Sequence, residues 1–461
     1  MSTGWAFRIR GVLAALAALG LFPSGQPVAG ELLQPAHLAA DPGPQNARTG
    51  VDAVAFRSVV PPLQQGLSEA DPLTIAQLEH IAIQRNPTVA AAAHRVQALR
   101  GKYQQVGLYP NPIVGYIGEE IGDEGHAGQQ GIAVGQHIVT AGKLKWNRSV
   151  VGWEIAAAEQ EWAMQRLRVS NDLRAAAYRV IAAWQTVELS EKLLHLAEEG
   201  LRAAEQLLAA QEVSRVDVLQ ARIELNAARL SLEKAHHAHV QEWHTMATLA
   251  GVPDLPPAPV ANGDIEPDSA PLAWETARDH LLRNSPEVMR AAAEVDRARA
   301  ALGRECAGRV PDVELEAGVR YNFGSEGTLA TVGMALPLQL FDRNQGNIHR
   351  ANAELATARQ ESRRVELALE ARLAREFREY LDARETVRRY REAILPDARD
   401  ALDLARSGYQ QGEFDYLELL TVQQTYFRTH LAFVEAERDV RVSRVRIDGL
   451  LLTGGLESPG L

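Results

Sequence analysis

Val313-Glu314-Leu315-Glu316-Ala317-Gly318-Val319-Arg320-Tyr321-Asn322-Phe323 alternates without a break. Its odd positions are Val, Leu, Ala, Val, Tyr and Phe, and its even positions are Glu, Glu, Gly, Arg and Asn. Successive side chains of a strand point to opposite faces, so the stretch predicts a strand with one apolar and one charged face. After a short polar loop the pattern resumes, with Ala330, Val332, Met334, Leu336, Leu338 and Leu340 sharing a face. Each run is about as long as the roughly 9–11 residues a tilted strand needs to cross a bilayer. An apolar-out, polar-in hairpin fits a membrane barrel. On pattern alone a hairpin of a soluble sandwich is the stronger reading, and the surroundings have to decide.

The chain has 461 residues, a net charge of -11 and a pI near 5.7. That balance argues against nucleic acid as a partner. Cys306 stands alone, which excludes a disulfide within the chain and a cysteine metal cluster. Arg8 and Arg10 precede an apolar run from Gly11 to Phe22, then Pro23-Ser24-Gly25 and the small residues Val28-Ala29-Gly30. This reads as a secretory signal over residues 1–30, the alternative being an uncleaved anchor. No cysteine follows it to serve as a lipoprotein acylation site. Residues 31–70, rich in Ala, Pro, Gly and Gln without a period, read as a mobile leader. No other stretch is apolar enough for a membrane helix, so entering a membrane requires a barrel.

The chain is written twice. Leu73-Thr74-Ile75-Ala76-Gln77-Leu78 opens a helix ending before Asn86-Pro87, and Leu272-Ala273-Trp274-Glu275 opens one ending at Asn284-Ser285-Pro286. Each proline starts a second, Ala-rich helix, and Pro110-Asn111-Pro112 and Val310-Pro311-Asp312 then lead into strands. The copies cover 71–251 and 272–452, joined by a Pro-rich linker 252–271 and followed by a tail 453–461. Strands are expected at about 113–121 and 131–139, with Glu119 intruding on the face of Ile113, Ile117 and Ile121, and at about 313–323 and 328–341. Helical hairpins follow over about 142–250 and 342–452. The first long helix has no proline; the second is interrupted by Pro396. Leu194, Ala197, Leu201, Ala204 and Leu208 step by three and four, as in a coiled-coil seam.

The turns of the two helical hairpins match at a shift of 201, Gln211 to Leu219 against Gly412 to Leu420. Ser214 and Asp415 suit the N-cap of the returning helices. Four strands cannot close a barrel, and an open edge is not tolerated in lipid, so the chain has to oligomerise. Two copies give eight strands and three give twelve, wide enough for a channel. Glu314, Glu316 and Arg320 then line the lumen. No nucleophile with a base, phosphate loop or zinc motif is visible, so no catalysis and no cofactor are expected.

These features together resemble the TolC family of outer-membrane efflux channels over nearly all of Leu73 to Leu452. The resemblance rests on Asn86-Pro87, Tyr109-Pro110-Asn111-Pro112, Leu336-Pro337-Leu338, and Tyr409-Gln410-Gln411-Gly412 with Leu417-Glu418-Leu419-Leu420. The run Phe341-Asp342-Arg343-Asn344-Gln345-Gly346-Asn347 is similar to the heavy-metal branch of that family, the CzcC and CusC type. The resemblance implies a homotrimer in the outer membrane, with a twelve-strand barrel set on a periplasmic tunnel of helices. It also implies a periplasmic adaptor and an inner-membrane pump as partners.

By that resemblance Glu418 matches the first of two aspartates that ring the periplasmic entrance, and Asp217 is its first-half counterpart. The second aspartate position is Thr421. Tyr409 matches a latch tyrosine, while the neighbouring latch arginine is replaced by Phe414. Val213, Ser214, Gly412, Phe414 and Asp415 sit where adaptor and pump contacts fall. For both carboxylates the alternative is an ordinary acidic residue in the first turn of a helix. His236 and His239 have a spacing that can share a metal, although solvated positions on a long helix are the stronger reading. Cys306 reads as a small packed side chain. A soluble periplasmic scaffold explains the helices and leaves Val313–Phe323 without lipid. The same fold also serves drug efflux and type I secretion.

Overall fold

The computed structural model describes residues 73–457, apart from 126, 262–269 and 412. The expected signal, the leader and Gly412 lie outside the described residues.

One order of elements occurs twice. In the first repeat α1 (Ile75–Arg85) and α2 (Pro87–Gln105) precede β1 (Ile113–Glu119) and β2 (Gln129–Ile138). The helices α3 (Lys143–Ala209) and α4 (Arg215–Leu249) follow. In the second, α5 (Trp274–Asn284) and α6 (Pro286–Ala307) precede β3 (Val313–Asn322) and β4 (Gly327–Ala335). They are followed by α7 (Gln345–Arg389), a π-helical turn Tyr390–Ile394, α8 (Leu395–Gln410) and α9 (Tyr416–Asp448).

The helix breaks follow from local chemistry. Buried Asn86 caps α2 by accepting from the Thr88 N–H at 2.9 Å, and its Nδ2 donates to the Leu249 carbonyl at 3.3 Å. Buried Ser285 does the same for α6 through the Glu287 N–H. In both helices proline takes the first position, where its missing N–H costs nothing. Each long helix starts from a left-handed residue, Gly142 (φ 66°) in one repeat and Asn344 (φ 58°) in the other. Asparagine visits that region more readily than other side chains. Gly346, the glycine next to the second turn, lies inside α7.

With 67 residues, α3 runs unbroken for roughly 100 Å at ~1.5 Å per residue. Its counterpart does not. Pro396 cannot supply an N–H to the turn before it, and the preceding turn widens to a π-helix that absorbs the defect.

In each repeat the short first helix docks on the long helical pair. Leu78 of α1 is buried with Val169 and Leu173 of α3 and with Trp243 and Met246 of α4. Leu281 of α5 is buried with Leu369, Leu373 and Tyr380 of α7 and Val440 of α9. Each such large side chain contributes roughly 1.5–3 kcal/mol by leaving water. Polar ties add register: Trp243 Nε1 donates to the Leu255 carbonyl at 2.9 Å, and Asn171 Nδ2 donates to the Gly449 and Leu452 carbonyls at 2.8 Å each.

The four strands form one antiparallel sheet in the order β1-β2-β3-β4, so the hairpins of the two repeats pair along β2 and β3. The register sorts the side chains. One face carries Glu119, Gln129, His137, Glu314, Glu316, Arg320, Asn322 and Thr331, with Gly115, Gly131, Gly135, Gly318 and Gly333 between them and Ile113, Ile117 and Leu329 as its large apolar members. The other carries Val114, Tyr116, Ile132, Val134, Leu315, Val319, Tyr321, Ala330, Val332 and Met334, with Gln130, Gln136 and Thr328 as its polar members, and the large apolar residues named are exposed.

Two expectations need correcting. Glu119 does not intrude on an apolar face; Ile113 and Ile117 lie on the polar face with it, and β1 shows its apolar side through Val114 and Tyr116. The fourth strand also ends at Ala335 rather than near 341. Pro337 has no N–H for a ladder, and β4 is an edge strand with no second neighbour to extend it.

Candidate functional site

The tips of the two helical hairpins are built alike. Ser214 caps α4: its Oγ accepts from the Asp217 N–H at 3.4 Å, while Asp217 Oδ2 accepts from the Ser214 N–H at 2.8 Å. Asp415 caps α9 through the Glu418 N–H at 2.7 Å, and Glu418 Oε2 accepts from the Asp415 N–H at 3.3 Å. These are reciprocal capping boxes, each satisfying two backbone donors that the helix start leaves free. Asp217 and Glu418 thus hold equivalent third positions of their helices. Glu418 is exposed and Asp217 partly so. Thr421 donates to the Leu417 carbonyl within its own helix.

Beneath the turns lies a small core joining the repeats: Ala204, Val218 and Ala221 from the first, Ala405, Tyr409, Tyr416 and Leu419 from the second. Tyr409 and Tyr416 meet edge to face with ring centroids 5.9 Å apart. The Tyr409 hydroxyl is buried without a hydrogen-bond partner among the described residues. Burial first, and then the Asp217 carboxylate, push its pKa above the usual phenol value. Burial, Glu224 and Tyr409 push Tyr416 up to about 12. Phe414 lies across Gly408, where a Cβ would come within 2.5 Å of its ring. Val213 is half-buried; Ser214, Phe414 and Asp415 are exposed.

Sequence reasoning named Tyr409, Asp217 and Glu418 and missed Tyr416, because the equivalent first-repeat residue is Arg215 and no repeat signal marks it. It also missed the ties between repeats. Arg406 Nη2 of α8 donates to Glu199 Oε2 of α3 at 2.7 Å. Asp312 accepts from the Thr140 N–H at 2.7 Å and from Lys143 Nζ at 2.9 Å, clamping the exit of β2 to the start of β3.

On the polar sheet face Arg320 pairs with Glu119 and donates to Thr331 Oγ1 at 3.1 Å. Gly131 lies between Arg320 and β1 in the register, and a Cβ there would come within 2.8 Å of Arg320 Cγ and 2.1 Å of the Val319 carbonyl. The missing side chain lets the guanidinium cross β2. Glu314 and Glu316 are exposed on the same face, and Glu314 stands 3.9 Å from His137.

The suggested histidine pair separates by environment. His236 is exposed, whereas His239 turns its ring edge-on to Trp184 at 5.3 Å. Burial, with His236 nearby, pushes the His239 pKa down. Among the described residues no group of three or more His, Cys, Asp or Glu could hold a metal ion. Cys306 is exposed rather than packed.

A sheet split into polar and apolar faces, carried on paired long helices and repeated in tandem, defines the fold of an outer-membrane channel protomer. The chain belongs to the outer membrane efflux protein family, whose profile matches residues 78–252 and again residues 277–451. It is therefore an outer-membrane transport protein and not an enzyme.

The chain is 29% identical over 170 residues to the cobalt-zinc-cadmium resistance protein CzcC of Cupriavidus metallidurans, covering 37% of this chain and 41% of that protein. It is 32% identical over 116 residues to the outer membrane protein OprJ of Pseudomonas aeruginosa, covering 24% and 23% respectively. The matched part is thus less than half the length of either relative. The crystal structure of CusC superposes with a TM-score of 0.70 at 18% identity, over 82% of this chain and 92% of that one.

Proposed function

We propose that the protein is the outer-membrane exit duct of a tripartite efflux system, passively conducting heavy-metal cations expelled by an RND-type pump at the inner membrane. The observation that carries this reading is the four-stranded sheet. It has a polar face, an exposed apolar face and two free edges, β1 and β4. In lipid those edges have to pair, and other copies of the chain supply the partners. Three copies make a twelve-strand barrel with Glu314, Glu316 and Arg320 toward water. Nine residues of β4, at ~3.3 Å each and tilted by ~40°, span roughly 23 Å, close to the ~25 Å apolar band of such barrels.

In this reading the tips form the periplasmic entrance. Glu418 and Asp217 supply a ring of negative potential that attracts cations, and Tyr409 is the residue of the entrance latch. Val213, Ser214, Phe414 and Asp415, with Gly412, meet the periplasmic adaptor. The likeness to a cobalt-zinc-cadmium resistance protein supports a divalent cation as cargo. An acidic entrance suits cationic drugs as well, which gives a second reading in which the same duct serves drug efflux. Deletion of the gene, followed by growth on graded cobalt, zinc, cadmium and copper and on a panel of cationic drugs, separates the two. Loss of metal tolerance is expected. Unchanged metal tolerance with lost drug tolerance overturns the metal assignment.

A further inference from the structure

Halfway along the periplasmic helices, α3, α4 and the strap Pro257–Val260 enclose a cavity of about 500 Å³. That size suits a small molecule. Trp184 of α3 stands in its wall with about half of its surface open, and His239 of α4 packs against it edge-on. Trp184 lies 25 residues before the end of α3 at Ala209, roughly 38 Å from the tip by the helical rise. The cavity is therefore separate from the proposed entrance.

Among the described lining residues Glu188 is the one carboxylate. The indole N–H, the single donor of Trp184, is spent on Glu188 Oε1 at 3.0 Å, which holds the carboxylate beside the ring. Gln185 also lines the cavity, and its Oε1 is buried without a partner among the described residues. Burial holds His239 toward its neutral form. No Lys or Arg lines the cavity among the described residues. The lining thus offers an aromatic ring, a carboxylate, the Gln185 amide and the His239 imidazole, set among aliphatic side chains and prolines. An unsatisfied buried acceptor is costly, and a carboxylate beside an indole face attracts a cation on an apolar stem.

We propose that this cavity binds a small organic cation, an ammonium or guanidinium on an apolar body, with the charge beside the Glu188 carboxylate and against the Trp184 ring, and the body against the Pro257–Val260 strap. A bare divalent ion is a different ligand, and among the described residues this site lacks three ligating side chains for it.

Calorimetric titration of the purified full chain in detergent tests it, with benzyltrimethylammonium as the probe and its neutral carbon isostere as the control. Saturable binding of the cation is expected, at least about tenfold tighter than the isostere. Trp184→Leu and the near-isosteric Glu188→Gln should each weaken the cation about fivefold, in line with a cation–π contact or ion pair at a partly exposed site. Both variants should elute and melt as the parent does, and isostere binding should not change. No saturable binding to the parent, equal binding of the isostere, or parent-like binding by a correctly folded Glu188→Gln overturns the proposal.

Discussion

Asp415 and Glu418 close on each other at the start of α9, the Asp415 carboxylate accepting from the Glu418 N–H at 2.7 Å and the Glu418 carboxylate from the Asp415 N–H at 3.3 Å. Glu418 therefore has a local structural task besides the electrostatic one proposed for it, and a simple alanine variant confounds the two. Glutamine at this position still accepts from the cap backbone but carries no charge. Glu418→Gln should lower cation selectivity in bilayer conductance while leaving the melting temperature unchanged. Glu418→Ala should lower both, the stability by about 0.5–1 kcal/mol. Unaltered selectivity in the glutamine variant removes Glu418 from the entrance ring.

Tyr409 offers a cleaner test, because its hydroxyl is buried without a partner among the described residues. Removing a buried, unsatisfied hydroxyl is neutral or stabilising, since the folded state no longer has to strip it of water. Tyr409→Phe should melt at the same temperature or higher, while the closed channel should leak more than the parent, because the latch contact is made through the hydroxyl in the assembled entrance. Parent-like leak conductance in this variant removes the Tyr409 hydroxyl from the latch.

How much of this could be read beforehand depended on the range of the deciding interaction. The alternation of Val313–Phe323 and the caps at Ser214 and Asp415 are local, and they emerged directly. Strand β1 misled because Ile113 and Ile117 lie on the polar face; the ion pair of Glu119 with Arg320, 201 residues away, shows to which face they belong. The end of β4 depended on Pro337 and on the absence of an outer neighbour among the described residues. At the tip, the edge-to-face packing of Tyr416 on Tyr409 has no counterpart in the first repeat. The π-helical turn before Pro396 likewise breaks the equivalence of two helices that the repeat alone makes alike.

The tyrosine pair predicts an alkaline transition. The Tyr416 phenol titrates at about 12 in the folded chain, raised mainly by burial, against 10 when exposed. Its contribution to stability is thus complete below pH 10. It is lost as pH rises from 10 through about 12, because the unfolded chain releases the proton first. The parent should lose more stability between pH 9 and 11, measured by denaturant midpoint, than Tyr416→Phe. Parallel losses in the two proteins would mean that the ring is more hydrated than its packing implies.

The sheet makes the sharpest demand, because adjacent residues of β4 have opposite fates. Val332 is 85% exposed on the apolar face, and Thr331 beside it donates no side chain to that face but meets Arg320 on the other. If the apolar face is lipid, a lysine at Val332 must put a charge into hydrocarbon, at about 2–4 kcal/mol near the midplane. An aspartate at Thr331 stands in the lumen beside a guanidinium. Val332→Lys should therefore fail to give folded, heat-modifiable channels in lipid vesicles, while Thr331→Asp assembles as the parent does and shifts conductance toward cations. The reverse result would turn the sheet inside out: the apolar face would then be packed against protein, and the polar face could not be the wall of the duct.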